Sequence, residues 1–222
     1  MVSTPANGTR YRFVWIGDEY VLHAAFFILA GYLSGSVLYA QVFSSLFCNK
    51  NLMEISDDSN PGTANAFQHC GFWCGLLTLL CDLLKGFLPV HLFLENARPD
   101  PCAFAFVLAA PVIGHTFSLF YHFHGGKGIA VTFGCLLGLF PLWKPVAILG
   151  FYFIAFSVVL RISPHYYRTI AAYFCSLASM AFIADRMEIC MGFLFISFAV
   201  LFRLLTSKEK KEQLEVKWLW MH

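Results

Sequence analysis

Charge is what this sequence has least of. Only 13% of its 222 residues are Asp, Glu, Lys or Arg, about half the share in an average soluble domain. With 59% hydrophobic residues, 25 phenylalanines and a mean hydropathy of +0.66, the composition excludes a water-soluble globular domain. The net charge of +2 sits in short loops and a tail rather than on one basic face, which excludes nucleic acid as a partner. The apolar runs are continuous and do not alternate, which excludes a β-barrel. No Cys or His cluster has metal-ligand spacing, so neither a metal nor a cofactor is expected. Cys70, Cys74 and Cys81 share one helical stripe and read as small buried hydrophobes. No inverted repeat is visible, which weighs against a transporter.

What remains is apolar sequence of bilayer length. Runs at Val21–Phe47, His69–Phe93, Ala103–Phe123, Gly128–Trp143, Pro145–Leu160, Thr169–Ala184 and Ile189–Leu205 predict about seven spans, judged against the ~20 residues a helical crossing needs. The fourth and fifth are short, which suits a tilted or partly re-entrant helix. Arg10, Arg12, Arg98, Lys144 and Arg186 fall on the N-terminal side of such a chain. The heavier set, Lys50, Lys127, Arg161, Arg168, Arg203, Lys208, Lys210, Lys211 and Lys217, falls on the other, which is therefore cytoplasmic. The fold class expected is an all-α integral membrane bundle, N-terminus outside and C-terminus in the cytoplasm. Residues 1–20 read as an external tail without a signal-peptide cleavage pattern, 21–206 as the polytopic domain and 207–222 as a cytoplasmic tail. Trp218 and Trp220 suit an interfacial anchor there.

Polar chemistry collects on the cytoplasmic face. Gly125-Gly126-Lys127-Gly128 is a glycine turn carrying one cation between two apolar runs. It fits either of two roles. Glycines with a helix starting at Gly128 would aim free N–H groups at the point the Lys127 ammonium reaches, which is a way to hold phosphate. Alternatively the glycines serve packing and the lysine snorkels to the headgroups. The preceding loop, Glu54 to Asn65, contains an Asn60-Pro61-Gly62 turn, with Asn65 placed to cap a helix or to donate to a ligand. Gly31, Ser34, Gly35 and Ser36 put small residues and hydroxyls inside the first span. Asp82 and Lys85, at i and i+3, share a face of the second as a functional pair or a structural one.

The order of these pieces resembles the bacterial PlsY-type acyl-phosphate:glycerol-3-phosphate acyltransferases. It runs Gly35-Ser36, then Asn60-x-Gly62-x-x-Asn65, Asp82-x-x-Lys85-Gly86-x-x-Pro89-Val90, Gly114-His115-x-Phe117, and Gly125-Gly126-Lys127-Gly128-Ile129-Ala130-x-Thr132. The resemblance covers roughly Gly31 to Thr132. It implies an enzyme of the bacterial cytoplasmic (inner) membrane, with the bilayer as surroundings and acyl phosphate and glycerol 3-phosphate as substrates. The products would be lysophosphatidate and phosphate, towards phospholipid, with no metal or acyl carrier. It further implies Ser36, Lys127 and His115 as catalytic residues. Asn60, Gly62, Asn65, Lys85, Gly125, Gly126, Gly128 and Thr132 would bind substrate. Consistently, the chain has no His-x-x-x-x-Asp acyltransferase motif.

The chain departs from that family's pattern at four positions and in one C-terminal element. Asp58 stands where a serine is usual, Ala64 where a threonine is, and Glu54 and Gln68 where arginines are, while no counterpart of a C-terminal His-Arg-x-Asn-Ile element appears near Arg203. Acids in place of cations would repel a dianion. Three readings follow: an acyltransferase completed by Arg161, His165 or Arg168; a relative with another acceptor, such as a polyol or amine that welcomes Asp57 and Asp58; or a non-enzymatic membrane protein such as a transporter.

Overall fold

Continuous apolar sequence forms helices because only a helix satisfies the backbone within one segment in lipid. The computed structural model describes residues 8–96, 100–183, 186–207 and 213–218, with side chains from residue 20 onward. Arg98, Lys208, Lys210, Lys211 and Trp220 lie outside the described residues. The helices are α1 (Gly8–Ser36), α2 (Tyr39–Cys48), α3 (Leu52–Ile55), α4 (Thr63–Asn96), α5 (Pro101–Thr116), α6 (Ile129–Leu137), α7 (Lys144–Ile154), α8 (His165–Ile183) and α9 (Met187–Leu205). The protein is an all-α integral membrane protein. Among the described residues, four segments are long and apolar enough to cross a membrane: Tyr20–Cys48, Thr63–Asn96, Pro101–Tyr121 and Met187–Leu205. The surroundings are written on the surface, where Trp73, Phe174, Phe182 and Phe198 all face outward, an arrangement lipid accepts and water does not.

The expected spans are modified in three places. The segment expected as an external tail is helical from Gly8 onward, continuous with α1. The first span breaks after Ser36, so α1 and α2 are separate helices and the Val37 carbonyl is released from the ladder. The fourth shrinks to α6, whose 9 residues give a rise of roughly 13 Å against a hydrocarbon core of about 30 Å. In α4 the chain kinks at Gly71, with φ 83° and ψ 179°, a conformation open essentially to glycine alone. The kink sets the short Thr63–Cys70 arm apart from the long arm that carries Asp82 and Lys85.

Packing follows the small residues. A Cβ at Gly35 would run into the backbone of Pro111, and one at Gly114 into the Tyr32 carbonyl, so α1 and α5 touch backbone to backbone. The core between α4, α5, α6, α8 and α9 is filled by Phe93, Phe104, Leu108, Leu136, Tyr173 and Phe193. Tyr173 stacks on Phe193 at 5.7 Å between centroids. Among the described residues the only sheet is a two-stranded antiparallel one, β1 (Ile162–Ser163) with β2 (Glu215–Val216). It ties the C-terminal segment to the turn that precedes α8. One end of the bundle thus gathers the α3–α4 loop, the glycine turn and the α7–α8 turn.

Candidate active site

These three connectors border one cavity of about 550 Å³. Its polar lining is Asp58, Asn60, Thr63, Asn65, Asp82, His115, Lys127 and His165. Its apolar lining, Phe67, Leu79, Phe133 and Phe153, comes largely from positions a turn or more inside the helices. One pocket therefore offers polar chemistry at its loop end and an oily wall along its helices.

The glycine turn is built for close approach. Gly126 donates its N–H to the His115 carbonyl at 3.1 Å, and a Cβ at Gly126 would strike the imidazole Nε2. Gly128 has φ 80° and caps α6 without any side-chain cap, leaving the first-turn amides of α6 at the cavity, where Gly128, Ile129 and Ala130 line it. The turn is pinned from behind by Arg203, whose Nε donates to the Gly125 carbonyl at 2.9 Å.

Lys127 is the cation of the cavity, 8% exposed. Its Nζ meets Asp58 Oδ2 at 3.0 Å, and its backbone N–H donates to Asn60 Oδ1 at 3.1 Å. Asn65 Nδ2 donates to Asp58 Oδ1 at 2.8 Å and to the Asn60 carbonyl at 2.7 Å. The Asn60 amide donates to the same Asp58 oxygen at 3.2 Å. Burial pushes the Asp58 carboxyl up, but the Lys127 ammonium and these donors outweigh it and hold the group below its ordinary range.

A second charged cluster lies just beneath. Lys85, 3% exposed, forms an ion pair with Asp82 Oδ1 at 2.8 Å and donates to the freed Val37 carbonyl at 2.6 Å and to His115 Nδ1 at 2.9 Å. An ammonium only donates, so His115 accepts at Nδ1 and carries its own proton on Nε2. Thr63 Oγ1 donates to Asp82 Oδ2 at 3.3 Å.

The expected site residues therefore separate into three groups. Asn60, Gly62, Asn65, His115, Lys127 and Gly128 line the cavity. Gly125 and Gly126 shape its turn, and Lys85 orients His115 from outside the lining. Ser36 and Thr132 stand apart. The Ser36 hydroxyl donates to Tyr32 O at 2.9 Å and accepts from Leu119 N at 3.3 Å. Thr132 donates to Gly128 O at 2.9 Å and accepts from Tyr173 at 2.8 Å.

The acids that seemed hostile to an anion also divide. Glu54 and Asp57 are exposed, Glu54 accepting from Asn51 Nδ2 at 2.6 Å. Of the departures, Asp58 and Ala64 face the cavity. Arg161 is exposed. His165 lines the cavity, with Arg168 behind it donating to Nδ1 at 2.9 Å. Arg203 reaches the glycine turn although the sequence around it offers no counterpart of the family's C-terminal His-Arg-x-Asn-Ile element.

His165 yields a pH prediction. Burial, reinforced by Arg168 and Lys127, lowers its pKa from 6.5 to about 4. The folded value lies below the unfolded one, so the unfolded chain binds the extra proton between them. The stability attached to neutral His165 is complete above pH 6.5 and is lost as pH falls towards about 4. The melting temperature in detergent should fall across that window, and His165→Gln should flatten the fall. An identical pH profile in the variant would refute the assignment.

Comparison with known proteins bears on the same region. The sequence profile described as "Glycerol-3-phosphate acyltransferase" matches residues 25–213. A glycerol-3-phosphate acyltransferase of Legionella pneumophila (strain Corby) is 39% identical over 112 residues, covering 50% of this chain and 40% of the relative. One from Desulfovibrio desulfuricans is 40% identical over 121 residues, covering 54% and 52%. The chain thus spans about half, or less, of the length of these relatives. The crystal structure of PlsY, an integral membrane glycerol 3-phosphate acyltransferase, superposes in its glycerol 3-phosphate form with a TM-score of 0.71 at 23% identity. That match covers 81% of this chain and 87% of the other, and at such identity it establishes the fold.

Proposed function

Because this chain belongs to the glycerol-3-phosphate acyltransferase family, we propose that it transfers a fatty acyl group from acyl phosphate to the 1-hydroxyl of glycerol 3-phosphate, releasing lysophosphatidate and inorganic phosphate. The observation that carries the reading is the amphipathic cavity. A buried ammonium and uncapped helix amides stand at its loop end, and Phe67, Leu79, Phe133 and Phe153 line its walls. A phosphate monoester fits the first and an acyl chain the second. Lys85, Lys127, Arg168 and Arg203, set against Asp58 and Asp82, leave the neighbourhood of the cavity with an excess of positive charge, as a dianion requires. The structure of a similar protein described as a glycerol 3-phosphate form supports the acceptor.

In the step proposed, the glycerol oxygen attacks the acyl carbonyl carbon, the bond from that carbon to the phosphate oxygen breaks, and phosphate leaves. Lys127 and the Gly128–α6 amides stabilise charge on the departing phosphate. His115 Nε2–H donates a hydrogen bond into the cavity. No cavity-lining imidazole or loop carboxylate is placed to be the base. His115 Nδ1 is taken by Lys85, His165 Nδ1 by Arg168, and Asp58 by an ammonium and two amides. The hydroxyl proton passes to a substrate phosphate oxygen, which suffices because acyl phosphate is already activated. Ser36 and Thr132 act by fixing the backbone around the glycine turn. The heavier share of Lys and Arg on the loop side supports placing that end on the cytoplasmic face of a bacterial inner membrane.

The test is turnover by the purified, detergent-solubilised protein with acyl phosphate and glycerol 3-phosphate, following lysophosphatidate and phosphate together. Stoichiometric release of both is expected. Phosphate release with a polyol or amine acceptor but none with glycerol 3-phosphate would overturn the acceptor. Neither product with any acceptor would overturn the reaction.

A further inference from the structure

Three donors converge on the Asp58 carboxylate: Lys127 Nζ at 3.0 Å, Asn65 Nδ2 at 2.8 Å and the Asn60 amide at 3.2 Å. An ammonium, a carboxamide and a backbone N–H aimed at one point make an anion site, and this one is filled by the chain's own side chain. It opens into the cavity, whose lining includes Asp58, Asn60, Asn65 and Lys127. Asp58 lies on the connector between α3 and α4, and the following residue, Ser59, has φ 50°. The carboxylate is thus carried on a loop rather than on a rigid helix.

We propose that Asp58 is an internal counter-anion that competes with phosphate for Lys127, Asn65 and the Asn60 amide, and so selects against free inorganic phosphate. A phosphate ligand must displace the carboxylate or share Lys127 with it, and either costs affinity. A phosphate carrying an acyl chain recovers that cost against Phe67, Leu79, Phe133 and Phe153, whereas free phosphate has nothing to recover it with. The site then discriminates the activated, chain-bearing phosphate from the inorganic phosphate that the reaction releases. This deepens the acyltransferase reading, resting on it for the identity of the chain-bearing ligand and on geometry alone for the anion site.

The experiment is calorimetric titration of the full detergent-solubilised protein with inorganic phosphate at pH 7 and constant ionic strength. The proteins compared are wild type, Asp58→Asn, Asp58→Ser and Asp58→Glu. Removing one unit charge in contact with the binding point should tighten phosphate at least about tenfold in the Asn and Ser variants, and not in the Glu variant. Unchanged or weaker phosphate binding in a neutral variant that keeps the wild-type melting temperature would overturn the proposal, making Asp58 part of the scaffold that orients Lys127. So would wild-type binding tighter than about 0.1 mM, which needs no variant and holds if both neutral variants fail to fold. Absence of phosphate binding in every folded protein would overturn it as well. The two readings fail separately: an inactive wild type whose neutral variants still bind phosphate more tightly would refute the reaction and keep the counter-anion.

Discussion

Replacing Lys127 with Met should lower kcat for acyl transfer by about 10²- to 10³-fold, the usual effect of removing a preorganised charge donor from developing negative charge. The ammonium is 8% exposed and sits between the glycine turn and Asp58, so no water can take its place at equal strength. The Michaelis constant for acyl phosphate should rise too, since the same group meets the phosphate before and during the reaction. Lys127→Arg should not restore wild-type turnover, because a planar guanidinium needs a different slot from a compact ammonium. The fold should tolerate the Met variant. Asp58 remains held by Asn65 and the Asn60 amide, and its side chain keeps 16% of its surface exposed. The measurement is single-turnover kinetics beside a melting curve. A Lys127→Met protein with turnover near wild type would remove Lys127 from the chemistry.

Lys85→Met should have the largest effect on stability. Its ammonium and the Asp82 carboxylate are both 2% exposed, and deleting one leaves the other charged and buried. Breaking such a pair costs about 3–5 kcal/mol, a large part of the roughly 5–15 kcal/mol that holds a domain folded. The Val37 carbonyl loses its donor as well, and that carbonyl is free only because the first apolar run breaks into α1 and α2. His115 loses the partner that fixes its tautomer, so activity should fall together with stability. The double variant Asp82→Leu/Lys85→Met removes both charges and should recover most of the stability but not the activity. Denaturant titration of the detergent-solubilised protein measures the first outcome and turnover the second. A single Lys85→Met variant as stable as wild type would show that Asp82 is neutral or hydrated in the folded protein.

The two charged pairs show where sequence reading succeeds. Asp82 and Lys85 lie three residues apart on an apolar helix, so their partnership follows from helical geometry. Asp58 and Lys127 belong to different connectors, and the acid read as a repellent of phosphate. Its pairing depends on how the α3–α4 loop folds over the glycine turn, which local sequence does not encode. Arg203 shares that difficulty, and His165, one of three candidates the sequence offers to complete the site, is singled out only by the fold. Each becomes part of the site only because α8 begins, and α9 ends, at the same end of the bundle as Gly128.

Sequence alone determined that the chain is a helical membrane protein, because continuous apolar runs with so few charges are soluble only in lipid and only helices satisfy their backbone there. It also determined the order of its chemical blocks, and with them the family. Tertiary structure decided the rest: which acid neutralises Lys127, that the Ser36 and Thr132 hydroxyls are spent on backbone and helix contacts, and that the first run breaks to give Lys85 a carbonyl. These are matters of distance between residues far apart in the chain. Periodicity and composition describe one segment at a time, whereas ion pairs and hydrogen bonds depend on where the segments meet.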